Sequence, residues 1–335
     1  MAHEIHQDAD GKHSFAFVGE DTWHGLGQKL TPNSPIPTWI KEAGFDWQIL
    51  DTEVCGILPH AVGTNANRGA DKIVFPERKL LYRSDTHSPL AVVSSRYKIV
   101  QPPEVLKFYE DLVESGGFSL ETAGVLFGGR RFFALAKVAD EQMVARNDPV
   151  KGYLLLSTSC DGSLATTAQF TSIRVVCNNT LRMAIRDSAG DEKDRIRIPH
   201  SAEFDHNAVK QQLGLAESSF SLFMKDMRKL AKRKLDNREE VSFLVGLFGD
   251  PTKPLEAQAP GPAKLMKDVF QLYASTGKGH DLAGRTAWGM MNAVTEYTDH
   301  HTGHKTPDAR LSSAWFGENA NLKQQALEDL MIMSE

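Results

Sequence analysis

An α+β fold is expected: an antiparallel sheet with helices on one face, a β-β-β-α core and a helical C-terminal region. Three observations predict it. First, Arg131–Val138, Lys151–Ser159 and Leu164–Phe170 are apolar runs of strand length, the last two joined by an Asp161-Gly162 hairpin signal. Second, the apolar spacing beyond residue 207 changes to the helical period of about 3.6 residues. Third, the chain has 335 residues, and at about 100–200 residues per domain it has room for one large or two ordinary cores.

The elements follow in order. Thr38–Ala43 reads as a short helix with Pro37 at its start and Gly44 past its end. Phe45, Trp47 and Ile49 alternate with Asp46 and Gln48, the pattern of a half-buried strand. Glu53–Leu58, Lys79–Tyr82 and Leu90–Ser94 are further strands, and Gly63–Ala70 is a loop. Pro102 and Pro103 open a helix that runs to about Glu114. Of the three central strands, the first two are linked by a polar connection over Ala139–Pro149, and Thr171 or Ser172 caps a helix running to about Arg186. Asn207–Leu235, Asn237–Phe248, Ala263–Ser275, Gly284–His300 and Asn319–Met333 read as helices. The expected division is an α+β main domain over 1–248, a Pro/Gly-rich linker over 249–262, and a helical region over 263–335 packed on the main domain.

Composition narrows the function. Lys+Arg is 38 against Asp+Glu 43, a net charge of -5, which excludes coating nucleic acid by overall charge. Cys55, Cys160 and Cys177 are far apart and form neither a disulfide framework nor a C-x-x-C pair. The polar N-terminus has no signal-peptide pattern and no stretch reaches the ~20 apolar residues of a membrane span, so a cytoplasmic protein of a bacterial host cell is expected.

Positive charge is nevertheless segregated. On the expected helix Ser172–Arg186, Arg174, Asn178, Arg182 and Arg186 recur every four residues and would line up as a ridge. Guanidinium forks match phosphate oxygens, so the ridge is either a track for a nucleic-acid backbone or a solvated face paired with acids. The stretch Lys225–Leu235 adds Lys225, Arg228, Lys229, Lys232 and Arg233, as a second part of the patch or as an exposed helix side. Tyr153 and Phe170, on neighbouring strands, are either stacking platforms for bases or core.

A second constellation lies near the C-terminus. Arg285, Asn292, Glu296 and either Asp299 or His300 fall on one side of the expected helix Gly284–His300, opposite the packing residues Ala287, Trp288, Met291 and Val294. They form either an active site or a network fixing the helix. Glu296 and His300 have the i, i+4 spacing of two metal ligands, but no third ligand is signalled and no metal is expected. Trp23-His24-Gly25 reads as a turn or as a lip over a pocket. No cofactor motif stands out: Gly277–Gly284 has the wrong order for a phosphate loop.

The segments WHGLG at 23–27, SSRYKIVQP at 94–102, TSIRVVCNNTL at 171–181, GRTAWGMMNAVTEYTDH at 284–300 and RLSSAWFG at 310–317 resemble the phage/plasmid-like proteins of domain-of-unknown-function family 932. That resemblance implies a mobile-element origin and assigns no catalytic residue. The β-β-β-α order is also similar to the core of Erf- and RecT-type single-strand annealing proteins, which implies oligomers holding single-stranded DNA beside a sheet. The resulting expectation is a single-stranded DNA-binding or annealing protein of phage or plasmid DNA metabolism and recombination. It would be a homo-oligomer and need no cofactor. The alternatives are an enzyme built on the C-terminal polar residues and an inhibitor of a host defence factor.

Overall fold

A computed structural model describes residues 11–19, 27–57, 72–107, 118–174, 179–182, 185–186, 192–193, 196–198, 216–303 and 306–335. The fold is α+β. Its centre is an eight-stranded sheet in the order β10-β9-β8-β7-β6-β1-β2, with β13 also on β9. The strands are β1 Phe15–Val18, β2 Gln28–Leu30, β6 Ser119–Leu126, β7 Arg131–Ala145, β8 Asp148–Ser159, β9 Thr166–Arg174, β10 Asn179–Arg182 and β13 Ile196–Ile198. Every pairing is antiparallel except the parallel β1–β2 edge. Ile185–Arg186 (β11) pairs with Glu192–Lys193 (β12) as a separate ribbon.

Two expectations are corrected here. The polar connection over Ala139–Pro149 is the far end of the β7–β8 hairpin, which turns at Arg146-Asn147 with Asn147 at φ 59°. Asp140 and Glu141 are exposed while Val144 is buried, so a solvated strand end reads as a loop by composition. Among the described residues of the span expected as the helix Ser172–Arg186, the backbone is extended: Thr171–Arg174 continue β9, and β10 folds back on them, while 175–178 and 183–184 lie outside the described residues. The β-branched residues Thr171, Ile173 and Thr180 favour a pleated strand and lose rotamer freedom in a helix. Four is an even number, so spacing by four fits a strand's period as well as a helix's.

The sheet buries both faces. One carries Phe132, Ala134, Ala136, Leu154, Leu156, Ala168 and Phe170. Helix α3, Ala216–Lys232, lies on it through Phe220, Phe223, Met224, Met227 and Leu230, and a side chain at Gly152 would strike the Phe220 ring. The other face carries Phe133, Leu135, Tyr153 and Leu155 and is covered by Ala314 and Trp315 of a helix that the apolar spacing did not reveal, Pro307–Phe316 (α8 below).

A smaller sheet of β3 Ile49–Ile57, β4 Lys72–Arg83 and β5 Pro89–Ser94 joins the first core through Phe45, Trp47, Ile49 and Leu81. Burial alternates over residues 45–49 as expected, although regular pairing begins only at Ile49. The short helix is α1, Ile36–Glu42, and Gly44 takes φ 75° after it. Residues 102–107 form α2, and the rest of that expected helix lies outside the described residues.

The C-terminal half is helical: α4 Asn237–Phe248, α5 Pro260–Gln271, α6 His280–Ala283, α7 Ala287–Glu296, α8 and α9 Glu318–Ile332. Helix α4 begins where Asp236 and Glu239 close a capping box. The segment expected as a linker is a loop folded on itself, in which Gln258 bonds Asp250 and Lys253, and α5 already starts at Pro260. Helix α7 is buried along its whole length, and Trp288 Nε1 donates to the buried Asp148 at 2.8 Å, tying it to β8. Among the described residues no helix is long and apolar enough to cross a membrane.

Candidate nucleic-acid interface

Helix α3 separates its residues cleanly. Its apolar face is pressed on β7, and Lys225, Lys229 and Lys232 stand exposed on the other side at i, i+4 and i+7. Among the described residues no carboxylate pairs with these three lysines. The two arginines of the same stretch are committed to the fold. Arg228 donates from Nε to the Met143 carbonyl at 2.9 Å and from Nη2 to Gln142 Oε1 at 3.0 Å, fastening α3 to the β7 end. Arg233 donates to the Met333 carbonyl at 3.0 Å and pairs with Glu239, which joins the end of α3 to the C-terminus and to α4. The unspent charge on α3 itself is thus three lysines, and the exposed Lys234 follows just past its end.

The arginine ridge does not form as a helix ridge. Arg174 ends β9 and lies opposite Asn179 and Val150, while Arg182 lies opposite Thr171. Thr171 and Arg174 are three residues apart on one strand, so the two arginine positions alternate between the faces of the sheet. Arg186 is on the separate β11–β12 ribbon, opposite Glu192. Asn178 lies outside the described residues.

The proposed stacking residues are core. Phe170 is fully buried. Tyr153 is buried with its hydroxyl donating to Glu121 Oε2 at 2.5 Å, and burial, helped by the Glu121 charge, pushes its ionisation well above the ordinary tyrosine value.

The C-terminal polar residues resolve into separate pairings. Arg285 donates from Nε to Glu240 Oε1 at 2.9 Å and from Nη2 to Asn237 at 2.8 Å, and its Nη2 also meets Glu240 Oε2. Tyr273 donates to the same Glu240 at 2.9 Å. Hydrogen bonding to Glu240 raises the pKa of Arg285. Glu296 accepts from the Lys278 amide at 2.8 Å, and His301, not His300, approaches its other oxygen at 3.7 Å. Of the two partners open to Glu296 as a network-forming residue, Arg285 is taken by Glu240 and a histidine, His301, lies beside Glu296, so the polar residues fall into two networks. Asn292 caps the Trp288 carbonyl at 2.7 Å, and the His300 carbonyl accepts from Arg310. A π-helical turn at Tyr297–His301 rotates the last residues of α7 relative to α-helical spacing, which is why His301 takes the place expected of His300. Asp299, the alternative to His300 on this side, is buried and pairs at 2.6 Å with Lys323, a partner that no motif signals. Among the described residues no three of His, Cys, Asp and Glu gather as metal ligands would. Trp23, His24 and His304 lie outside the described residues.

The sequence model of a family described as Domain of unknown function (DUF932) matches residues 89–315, from β5 to the end of α8. No curated protein and no solved structure matches the chain.

Proposed function

The chain belongs to the DUF932 family, and from that premise we propose that it binds single-stranded DNA, with the lysine row of α3 as its phosphate contact. The observation that carries this reading is the exposure of Lys225, Lys229 and Lys232 on one helix face while the neighbouring arginines are spent on structure. Unpaired ammonium groups at a spacing of one helical turn release counterions when a sugar-phosphate chain lies across them. A protein of net charge -5 needs such local segregation to hold a polyanion. In this reading the protein serves phage or plasmid DNA metabolism in the host cytoplasm, as a binding or annealing factor working as a homo-oligomer.

The test is a salt titration with labelled single-stranded and duplex oligonucleotides. Three phosphate contacts predict a slope of log affinity against log salt of about -2 for a single strand. Replacing Lys225, Lys229 and Lys232 together by Gln should abolish most of that slope. Exposed substitutions typically change stability by only about 0.5 kcal/mol each, so the variant stays folded. An unchanged slope in the folded variant removes α3 as the interface, and no binding by the wild type at low salt sinks the reading.

A further inference from the structure

The small sheet has two unlike faces. One is pressed into the first core through Ile49, Leu81 and Val93. The other faces water and is mostly apolar. Cross-strand partners share a face, so the register places Leu50 beside Tyr82, Thr52 beside Leu80 and Val92, Val54 beside Phe75, and Gly56 beside Ile73 on this outer side. Phe75 is 55% exposed, Val92 53% and Ile73 51%. Contiguous apolar exposure of this kind marks a binding surface, unlike the scattered exposure of single residues.

The charge of this face is one-sided. Arg78 lies opposite Ser94 on it, and Arg96 follows two residues beyond Ser94, whose hydroxyl accepts from the Arg96 amide at 3.1 Å. Both arginines are exposed, and among the described residues no carboxylate pairs with either. The acids of β3 fall on the opposite face, where Asp51 and Glu53 meet Lys79, and Glu77 sits in the bulge between Phe75 and Arg78. An exposed ring flanked by free guanidiniums fits a ligand with flat apolar parts and anionic parts, which is the make-up of a nucleotide strand. A second copy of the chain fits worse, because self-pairing of this face across a two-fold axis brings Arg78 toward its own like charge.

This surface lies on the same side of the large sheet as α3. Phe45 and Trp47, which lead into β3, pack on Phe132 near the start of β7, whereas Arg228 of α3 holds the Met143 end of that strand. Two surfaces on one side of a sheet can serve one extended ligand.

We propose that the outer face of the small sheet is where bases of a single strand stack, on Phe75, while Arg78 and Arg96 hold the adjacent phosphates. The inference rests on the reading that the protein binds single-stranded DNA, and it adds a base contact to the phosphate contact at α3.

The test compares the affinity of the full-length chain for an oligothymidylate with that for an abasic strand of equal length. Stacking on an aromatic side chain is worth about five- to 150-fold per base, so the wild type should favour the base-bearing strand by about ten-fold or more. Phe75→Ala should remove that preference and leave the abasic affinity unchanged, and Phe75→Trp should retain it. Both variants stay folded because the ring is more than half exposed. Arg78→Gln should make the salt slope shallower by about 0.7. Replacing the three α3 lysines should weaken both strands alike and keep the preference, which tells the two surfaces apart. Equal wild-type affinity for the two strands, or a preference that survives Phe75→Ala, overturns the proposal and leaves the α3 reading standing. A wild type that binds neither strand sinks both. If Phe75→Ala instead halves the sedimenting mass while the preference persists, the face holds a second copy of the chain and not bases.

Discussion

The two faces of the large sheet share the same strands and differ in how they treat polarity. Toward α3 the surface is Phe132, Ala134, Leu154, Leu156, Ala168 and Phe170, and the strand hydroxyls Thr158 and Thr166 bond each other at 2.9 Å, while the one buried hydroxyl without a partner on this side among the described residues, Ser219, belongs to the helix. Toward α8 the surface mixes Phe133, Leu135 and Leu155 with Ser157, Thr167 and Gln169, and two of those three polar groups have unpartnered atoms. One face is built for cohesion. The other gives up cohesion for buried hydrogen-bonding capacity, a pattern expected of a surface that does something besides hold the fold together.

The largest expected effect separates the faces directly. Phe170 is fully buried under the first core, and Phe170→Ala should cost about 3–5 kcal/mol in urea unfolding. Trp315, 9% exposed at the rim of the second cluster, should cost less on truncation to Ala because its pocket is already partly open to water. Equal losses would erase the contrast between a cohesive and a permissive face.

The helical half tests whether full pairing, rather than burial alone, marks the structural regions. Glu240 is 1% exposed, and both its oxygens are used by Arg285 and Tyr273. Glu240→Ala strands both partners. Because Arg285 is itself half exposed and can recover water, the loss should be about 2 kcal/mol rather than the larger cost of breaking a fully buried pair. A neutral result would place Glu240 among groups kept for chemistry.

Much of the scaffold is legible in the sequence because it rests on local signals. Asn237–Phe248 coincides with α4 because a capping box and an apolar stripe agree. Phe45, Trp47 and Ile49 bury alternately because hydrophobic alternation tolerates irregular pairing. The arginine ridge misleads because Arg174 and Arg182 satisfy two periods at once, and only the β9–β10 register decides between them. Helix α8 hides because its ten residues bury little beyond Ala314 and Trp315. The lysine row was readable as charge, but the commitments of Arg228 and Arg233 to Met143 and Met333 are long-range and leave no local trace. The unpartnered Ser157 and Gln169 are readable only as polar residues in otherwise apolar strands.

The smallest effect draws the sharpest line, because it compares adjacent residues of one strand. Thr158 and Ser157 are both almost completely buried on β8, side by side in sequence and on opposite faces. Thr158→Val keeps the shape but leaves the Thr166 hydroxyl without its partner, so it should cost about 1–2 kcal/mol. Ser157→Ala removes a hydroxyl without a partner among the described residues, so it should change stability by about 0.5 kcal/mol or less, in either direction. The measurement is the denaturation midpoint of both variants at constant slope, since a changed slope would signal a different denatured state. If Ser157→Ala instead costs as much as Thr158→Val, the hydroxyl already has a partner in the resting protein. Ordered water would then be that partner, and the two faces would differ only in whether protein or solvent completes their hydrogen bonds.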